Sequence, residues 1–320
     1  MRFSVIIPVY NRPEELRELL QSLTIQSFSD FEVVVVEDGS IQEAIEVISE
    51  FSTKLQIHYI VQSNLGQGFA RNNGMKLANG DFFVILDSDV ILPATYFQIL
   101  SQAIDERHLD AFGGPDAADD DFSALQKAMD FAMTSFWTTG GIRGKMKDPS
   151  NYQARGFNMG VSRKVFEATG GFIDPNQGED IEWSIRIKKA GYRLELVEEA
   201  FVYHKRKNTL ASFAKQAFSF GRNRVNVSRF HPEAITLVHW LPTSFLLFCL
   251  FIFVLFFMDE ALFHLSLGLF VLWSVGLILS AIIQTKSAKI GLLSWLTSVV
   301  QLWSYGLGFP FELIRKIRKG

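Results

Sequence analysis

The chain has 320 residues, a formal net charge of −3 and a hydrophobic fraction of 48%. That length holds a catalytic domain of about 200–250 residues with a smaller module beside it, which excludes a lone small binding module. The charge lacks the basic excess of a duplex-binding surface, so no nucleic-acid partner is expected, and the single cysteine, Cys249, excludes an intrachain disulfide and a cysteine metal site and fits a reducing compartment.

The start, Met1 to Pro8, has an apolar core too short for a secretory signal, and Pro8 and Asn11 interrupt it. The N-terminal part is expected in the cytoplasm. Val5 to Ile7, Phe31 to Val36, Leu55 to Val61 and Phe82 to Leu86 are short apolar or β-branched runs, as strands buried on both faces require. Between the first two, Leu16, Leu19, Leu20 and Leu23 recur at helical spacing behind Pro13, whose missing N–H does no harm in a first turn. Phe69 to Ala78 reads as a helix stopped by Asn79-Gly80. This alternation predicts an α/β fold, a mostly parallel sheet with helices on both faces.

In such a sheet the ligand sits beyond the carboxyl ends of the strands. Polar residues gather there: Tyr10-Asn11-Arg12 after the first strand, Glu37-Asp38-Gly39-Ser40 after the second, and Asp87-Ser88-Asp89 after Leu86. Residues 93 to about 235 are mixed, with loops marked by Gly113-Gly114-Pro115 and Asp119-Asp120-Asp121. Phe122, Leu125, Met129, Ala132, Met133 and Phe136 form a helical stripe, read as core packing or as contact with lipid or a lipid-linked acceptor.

From Leu241 the character changes. Leu241 to Met258 and Ala261 to Ile283 are nearly free of charge and close to the ~20 residues that cross a bilayer. Arg222, Arg224 and Arg229 before the first run, and Lys286 and Lys289 after the second, predict a hairpin with both ends inside. A third run, Ile290 to Phe311 (segment 290–312), is more polar and carries Trp295, Trp303 and Tyr305. A full crossing there would leave Arg315, Lys316, Arg318 and Lys319 outside, so an interfacial or re-entrant segment is favoured. The domains expected are 1–235, catalytic, with a juxtamembrane amphipathic segment at about 208–235, and 236–320, membrane-embedded.

Asp87-Ser88-Asp89 places two hard oxygen ligands on a rigid strand edge. These suit Mg²⁺ or Mn²⁺ bridging a carboxylate and a diphosphate, although most isolated Asp-x-Asp triplets are solvated turns. Glu37-Asp38-Gly39-Ser40 reads either as an ordinary βα turn or as a site where Asp38 accepts hydrogen bonds from a base or ribose. Glu179-Asp180 opens a helix through Ile181, Ile185 and Ile187, where acidic residues are also favoured on purely electrostatic grounds. His204 is a further metal or diphosphate ligand, or a locally satisfied histidine.

Taken in order, Val5-Ile6-Ile7-Pro8-Val9-Tyr10-Asn11-Arg12, Gln26 to Val33, Glu37-Asp38-Gly39-Ser40, Gly66-Gln67-Gly68-Phe69-Ala70-Arg71-Asn72 and Asp87-Ser88-Asp89 resemble the successive motifs of the family 2 glycosyltransferases, over roughly residues 3 to 230. The resemblance implies a GT-A nucleotide-diphospho-sugar transferase domain followed by C-terminal transmembrane helices. It implies nucleotide contacts from Pro8, Tyr10, Asn11 and Arg12, from Asp38 and from Arg71, a ribose or metal role for Asp87 and a metal role for Asp89; Glu37 and Ser88 are counted with the donor contacts, and His204 with the metal ligands. Glu37 departs from the Asp usual in the family.

Gly156 to Gly160 and Gly170-Gly171-Phe172 resemble the segment before the catalytic acid of that family, which implies Asp180 as general base in an inverting displacement and Glu179 as the residue that orients the acceptor. Arg222 or Arg224, in a segment like those preceding the membrane helices of surface-polysaccharide enzymes, would cap the product diphosphate or face anionic lipid. A Gln-x-x-Arg-Trp signature is absent, so addition of a single sugar is favoured. The partners implied are a nucleotide-sugar donor, a lipid-linked or glycan acceptor and membrane lipids, at a bacterial inner membrane with the catalytic domain on the cytoplasmic side. Two rival readings are a sugar nucleotidyltransferase, disfavoured because Pro8 to Arg12 does not look like a Gly-rich phosphate loop, and a non-catalytic membrane-tethered nucleotide-sugar binder.

Overall fold

A computed structural model describes residues 1–117, 122–139, 148–173, 178–204 and 209–319. In chain order the elements are β1 (Phe3–Val9), α1 (Pro13–Thr24), β2 (Phe31–Asp38), α2 (Ile45–Phe51), β3 (Ile57–Gln62), α3 (Gln67–Leu77), β4 (Phe82–Leu86), β5 (Val90–Ile91), α4 (Tyr96–Arg107), β6 (Ala111–Gly113) and β7 (Asp116–Ala117). Then come α5 (Ala124–Thr134), α6 (Phe136–Thr139), β8 (Asn158–Ser162), α7 (Arg163–Thr169), α8 (Glu179–Lys189), β9 (Leu194–Leu196) and β10 (Val202–His204). The chain closes with α9 (Leu210–Val227), α10 (Leu241–Met258), α11 (Glu260–Thr285) and α12 (Ala288–Lys319). The expected acidic loop at Asp119-Asp120-Asp121 lies outside the described residues.

Two compact units divide the chain: residues 1–119 with 147–205, and residues 120–146 with 206–320. The first is built on a sheet of order β3-β2-β1-β4-β8-β6-β9. β1 pairs in parallel with β2 and β4, and β2 with β3, as the alternating pattern predicts; β8 is antiparallel to both β4 and β6. The chain winds outward from β1 to β2 and β3, then returns to place β4 on the other side of β1. The polar loops after β1, β2 and β4 therefore share one edge at the switch point, where open α/β sheets bind ligands.

The burial of β1, β2 and β4, complete but for the half-buried Phe31, follows from their apolar runs, with Val5, Ile7, Val33, Val35 and Val84 packed to one side and Ile6, Val34, Phe83 and Ile85 to the other. β3 departs from the expectation of two buried faces. It is the edge strand, with Val61 exposed. α2 was not apparent from the residues: it is a single short helix with no side-chain cap, held by Val47, Ile48 and Phe51. α3 ends differently from the expected glycine stop. Ala78 is extended, with ψ 153°, and the turn is fixed by Glu32, whose carboxylate accepts from Asn79 N at 2.5 Å and Asn79 Nδ2 at 3.1 Å. Gly80 lies so close to β1 that a Cβ would stand 2.8 Å from the Phe3 carbonyl carbon.

In the second unit, α5 begins with a capping box between Ser123 and Gln126. Most of its stripe is internal to that unit, with Met129, Ala132 and Met133 packed on Phe213 of α9 and the adjacent Phe131 on Leu277 and Ala281 of α11, whereas Phe136 is exposed. Two helical segments, Leu237–Met258 and Glu260–Thr285, are long and apolar enough to cross a membrane. Their outward rows, including Phe253, Phe256, Leu265 and Leu272, are exposed. Each large apolar side chain left in water costs about 1.5–3 kcal/mol.

The third apolar run is the middle of α12, one helix that continues through Pro310. Proline has no N–H, so the Gly306 carbonyl one turn back loses its helical donor; Thr243 Oγ1 of α10 donates to it instead, at 3.1 Å. Gly306 and Gly308 permit the approach of other backbones, since a Cβ on either would fall 2.6 Å from Pro242 O and 2.2 Å from Phe218 O respectively.

Candidate active site

The first polar loop is anchored by Asn11. At φ +53° it adopts the left-handed conformation that asparagine tolerates better than most residues. Its N–H donates to Ser40 Oγ at 2.7 Å, and its Oδ1 accepts from Ile41 N and Gln42 N at 2.8 and 3.1 Å, tying the loops after β1 and β2 together. Pro8 is buried within β1, and Tyr10 stands 50% exposed beside Asn11. Arg12 Nη1 donates to Asp89 Oδ2 at 2.5 Å, so the β1 loop also reaches the end of β4. Burial works against the Arg12 charge, but the neighbouring Asp89 more than restores it and raises its pKa.

Glu37 and Asp38 act differently. Glu37 is fully buried and accepts from Ala44 N at 2.8 Å, Tyr59 Oη at 2.9 Å and Ser40 Oγ. Burial and this carboxylate push the Tyr59 phenol well above its ordinary range. Glu37 thus shapes the loop after β2 from inside. Asp38 accepts from Gln62 Nε2 at 2.8 Å and from Leu65 N and Gly66 N at 2.9 Å. It fixes the turn at Gly66, φ +93°, that leads into α3.

α3 carries Gln67 and Arg71 inward. Arg71 is 1% exposed. Its Nη2 donates to Asp87 Oδ1 at 2.5 Å, its Nη1 lies 3.5 Å from Glu179 Oε1, and the same Glu179 oxygen accepts from Gln67 Nε2 at 2.8 Å. One guanidinium therefore joins the end of β4 to the start of α8. Gly156 makes room for it, because a Cβ there would meet Arg71 Nη1 at 2.7 Å. Burial, with the charge of Asp180 beside it, pushes the Glu179 carboxyl up, while Arg71 and Gln67 oppose the rise.

Asp180 sits in the first turn of α8 behind Gly178, φ +84°. Its Oδ2 accepts from Gly156 N at 3.2 Å and its Oδ1 from Ile181 N at 2.8 Å. Ser88 is buried between the two aspartates of the β4 loop. His204 pairs in register with Val90, the residue after Asp89, and its side chain lies outside what the structure describes. Arg222 and Arg224 belong to α9 of the other unit, where Arg222 is held by Glu312.

Asp87 and Asp89 flank Ser88 at one strand end and are both neutralised by arginine. Among the described residues no three His, Cys, Asp or Glu side chains form a metal cage. Two hard oxygen donors of this kind fit Mg²⁺ or Mn²⁺ in a site whose other ligands come from a diphosphate and water, since Mg²⁺ usually keeps several waters. Gln67 and Gly156 had no assigned role in the sequence reading. Their signal lay in two motifs already noted, but a partner more than 80 positions away cannot be read from local pattern.

Residues 4–170 match the model for glycosyl transferase family 2. The chain is 36% identical over 114 residues to the poly(ribitol-phosphate) beta-N-acetylglucosaminyltransferase TarS of Staphylococcus aureus, a match that covers 34% of this chain and 20% of TarS. It is 27% identical over 231 residues to the glycosyltransferase AglE of Haloferax volcanii, covering 70% of this chain and 73% of AglE. In fold it is similar to the mannosyltransferase PcManGT from Pyrobaculum calidifontis in complex with GDP-Man and Mn²⁺, with a TM-score of 0.65 and 20% identity over 94% of this chain and 87% of that one. The architecture is that of a GT-A transferase. This chain belongs to glycosyl transferase family 2. It spans only about a fifth of the length of TarS.

Proposed function

We propose that this chain is an inverting, metal-dependent transferase that moves a sugar from a nucleotide-sugar donor to a lipid-linked or growing glycan acceptor at the cytoplasmic face of a membrane. The observation that carries this reading is the Arg71 bridge, which brings a carboxylate of the β4 end and the carboxylate next to Asp180 to one buried guanidinium. Residues 1–235 are the catalytic part and 236–320 the membrane part, in a bacterial inner membrane.

The loop from Pro8 to Arg12 and Asp38 bind the nucleotide, and Ser88 and Arg71 keep the strand end in place for the diphosphate. Asp87, Asp89 and His204 would hold Mg²⁺ or Mn²⁺, which when bound supplies positive charge against the leaving diphosphate. Asp180 takes the proton of the acceptor hydroxyl as the acceptor oxygen bonds to the anomeric carbon. The bond from that carbon to the diphosphate oxygen breaks on the opposite side, and its electron pair leaves with the nucleoside diphosphate. The anomeric configuration inverts. The Gly156 N–H holds the Asp180 carboxylate in one orientation, which favours attack from a fixed direction. Glu179 orients the acceptor.

The test is release of nucleoside diphosphate by the full chain in native membranes, screened across nucleotide sugars with Mg²⁺ and with Mn²⁺. Asp180→Asn is expected to lower kcat by roughly 10²–10⁴-fold, the range for a lost general base, while nucleotide binding persists. Release of pyrophosphate, or turnover of Asp180→Asn equal to wild type, would overturn the reading.

A further inference from the structure

A cluster of cations gathers where α9 meets α12. Glu312 of α12 is 2% exposed. Its Oε2 accepts from Arg222 Nε at 2.9 Å and its Oε1 from Arg229 Nη2 at 3.0 Å, while Arg315 Nη1 lies 3.8 Å from the same carboxylate. One arginine would neutralise this carboxylate. Three leave the cluster with two positive charges in excess, on side chains that remain 32%, 32% and 47% exposed.

The height of the cluster follows from the neighbouring contacts. Gly306 meets Thr243, and Phe309 meets Trp240 at 4.9 Å, so this stretch of α12 passes the first turn of α10. Glu312 lies about 9 Å further along α12 than Gly306, at 1.5 Å per residue. The hydrocarbon core of a bilayer is bordered by a polar layer of about 5–7 Å on each side. A cluster just outside the first residues of an apolar helix is therefore at headgroup depth.

We propose that Arg222, Arg229 and Arg315, organised by Glu312, form a binding site for the phosphate of an anionic phospholipid headgroup. This rests on reading α10 and α11 as membrane spans, and it is independent of the catalytic assignments. Each guanidinium has five donors in a planar fork that matches phosphate oxygens, and Glu312 engages one donor on Arg222 and one on Arg229. Holding those two side chains in place removes part of the entropy that a headgroup would otherwise have to overcome. Lys316 secures the same corner by donating to Ser228 O at 3.0 Å and Ser228 Oγ at 2.8 Å.

The experiment uses the full chain in nanodiscs of phosphatidylcholine mixed with phosphatidylglycerol, released into detergent and read by native mass spectrometry. Wild type is expected to retain phosphatidylglycerol in preference to phosphatidylcholine. The double variant Arg229→Gln, Arg315→Gln is expected to lose that preference by roughly thirty-fold, the factor two basic side chains near an anionic surface account for. Arg315→Gln alone, at the most exposed and most loosely paired position, keeps the test valid if the double variant fails to fold; it is expected to lose roughly fivefold. Equal retention of both lipids overturns the proposal, as does displacement of phosphatidylglycerol by inorganic phosphate, which would mark a free-anion site. Extraction of the chain from membranes by alkaline carbonate overturns the membrane reading with it, whereas an integral chain without lipid preference overturns the headgroup site alone.

Discussion

Arg71 joins the end of β4 to the start of α8, because its two terminal nitrogens hold carboxylates from different parts of the chain. Lysine at that position keeps a charge but offers no fork, so it cannot hold both partners in one plane. Arg71→Lys is expected to lower kcat by roughly 10–100-fold, the factor for one lost hydrogen bond to a charged group, with little change in folded content by circular dichroism. Unchanged turnover would show that the bridge is dispensable.

Glu32 gives a second expectation at the same scale. Burial alone would raise its pKa, but Ser4 Oγ at 2.6 Å, both Asn79 donors and His58 reverse that and hold it below its ordinary value of 4.5. A carboxylate held low in the folded chain favours the fold above its ordinary pKa, and that contribution disappears as pH falls through the lowered folded value. Acid unfolding of wild type is thus expected to steepen below about pH 4.5, and Glu32→Gln to flatten that limb in a pH series of thermal midpoints.

Among the elements, the join of α9, α10 and α12 depends on glycine. Gly308→Ala sets a methyl group 2.2 Å from the Phe218 carbonyl, a backbone atom that cannot swing aside. The helices must separate, at a cost of about 1–3 kcal/mol for overpacking. Gly268→Ala on α11 meets nothing within 4 Å and removes a poor helix former, so the same thermal melt in detergent is expected to show a neutral or slightly higher midpoint. Equal midpoints for the two variants would refute the close approach.

On the scale of the whole molecule, the second unit is assembled from a segment inserted within the sequence of the first unit and the stretch that follows it. α5 is separated from α9 by β8 to β10, yet its Met129, Ala132 and Met133 pack on Phe213, and Thr297 Oγ1 of α12 donates to Ala128 O at 2.9 Å. Removal of residues 236–320 therefore does more than delete two apolar helices. It strips α5 and α9 of their cover, and the truncated chain is expected to aggregate without detergent in size-exclusion chromatography. A monodisperse, soluble truncation would count against the shared packing.

Much of this molecule was readable in its residues because the relevant signals are local. Unbroken apolar runs marked β1, β2 and β4, polar clusters marked one edge of the sheet, and charge-free stretches marked α10 and α11. Local pattern could not place β8 between β4 and β6, assign α5 to the unit of α9 to α12, or reveal that Glu37 faces inward while Gln67 and Arg71 meet at Glu179 and Gly156 donates to Asp180. Periodicity reports which face of an element avoids water; which distant partner covers that face is settled only when the whole chain competes for the same buried volume, and that competition is what the tertiary structure decides.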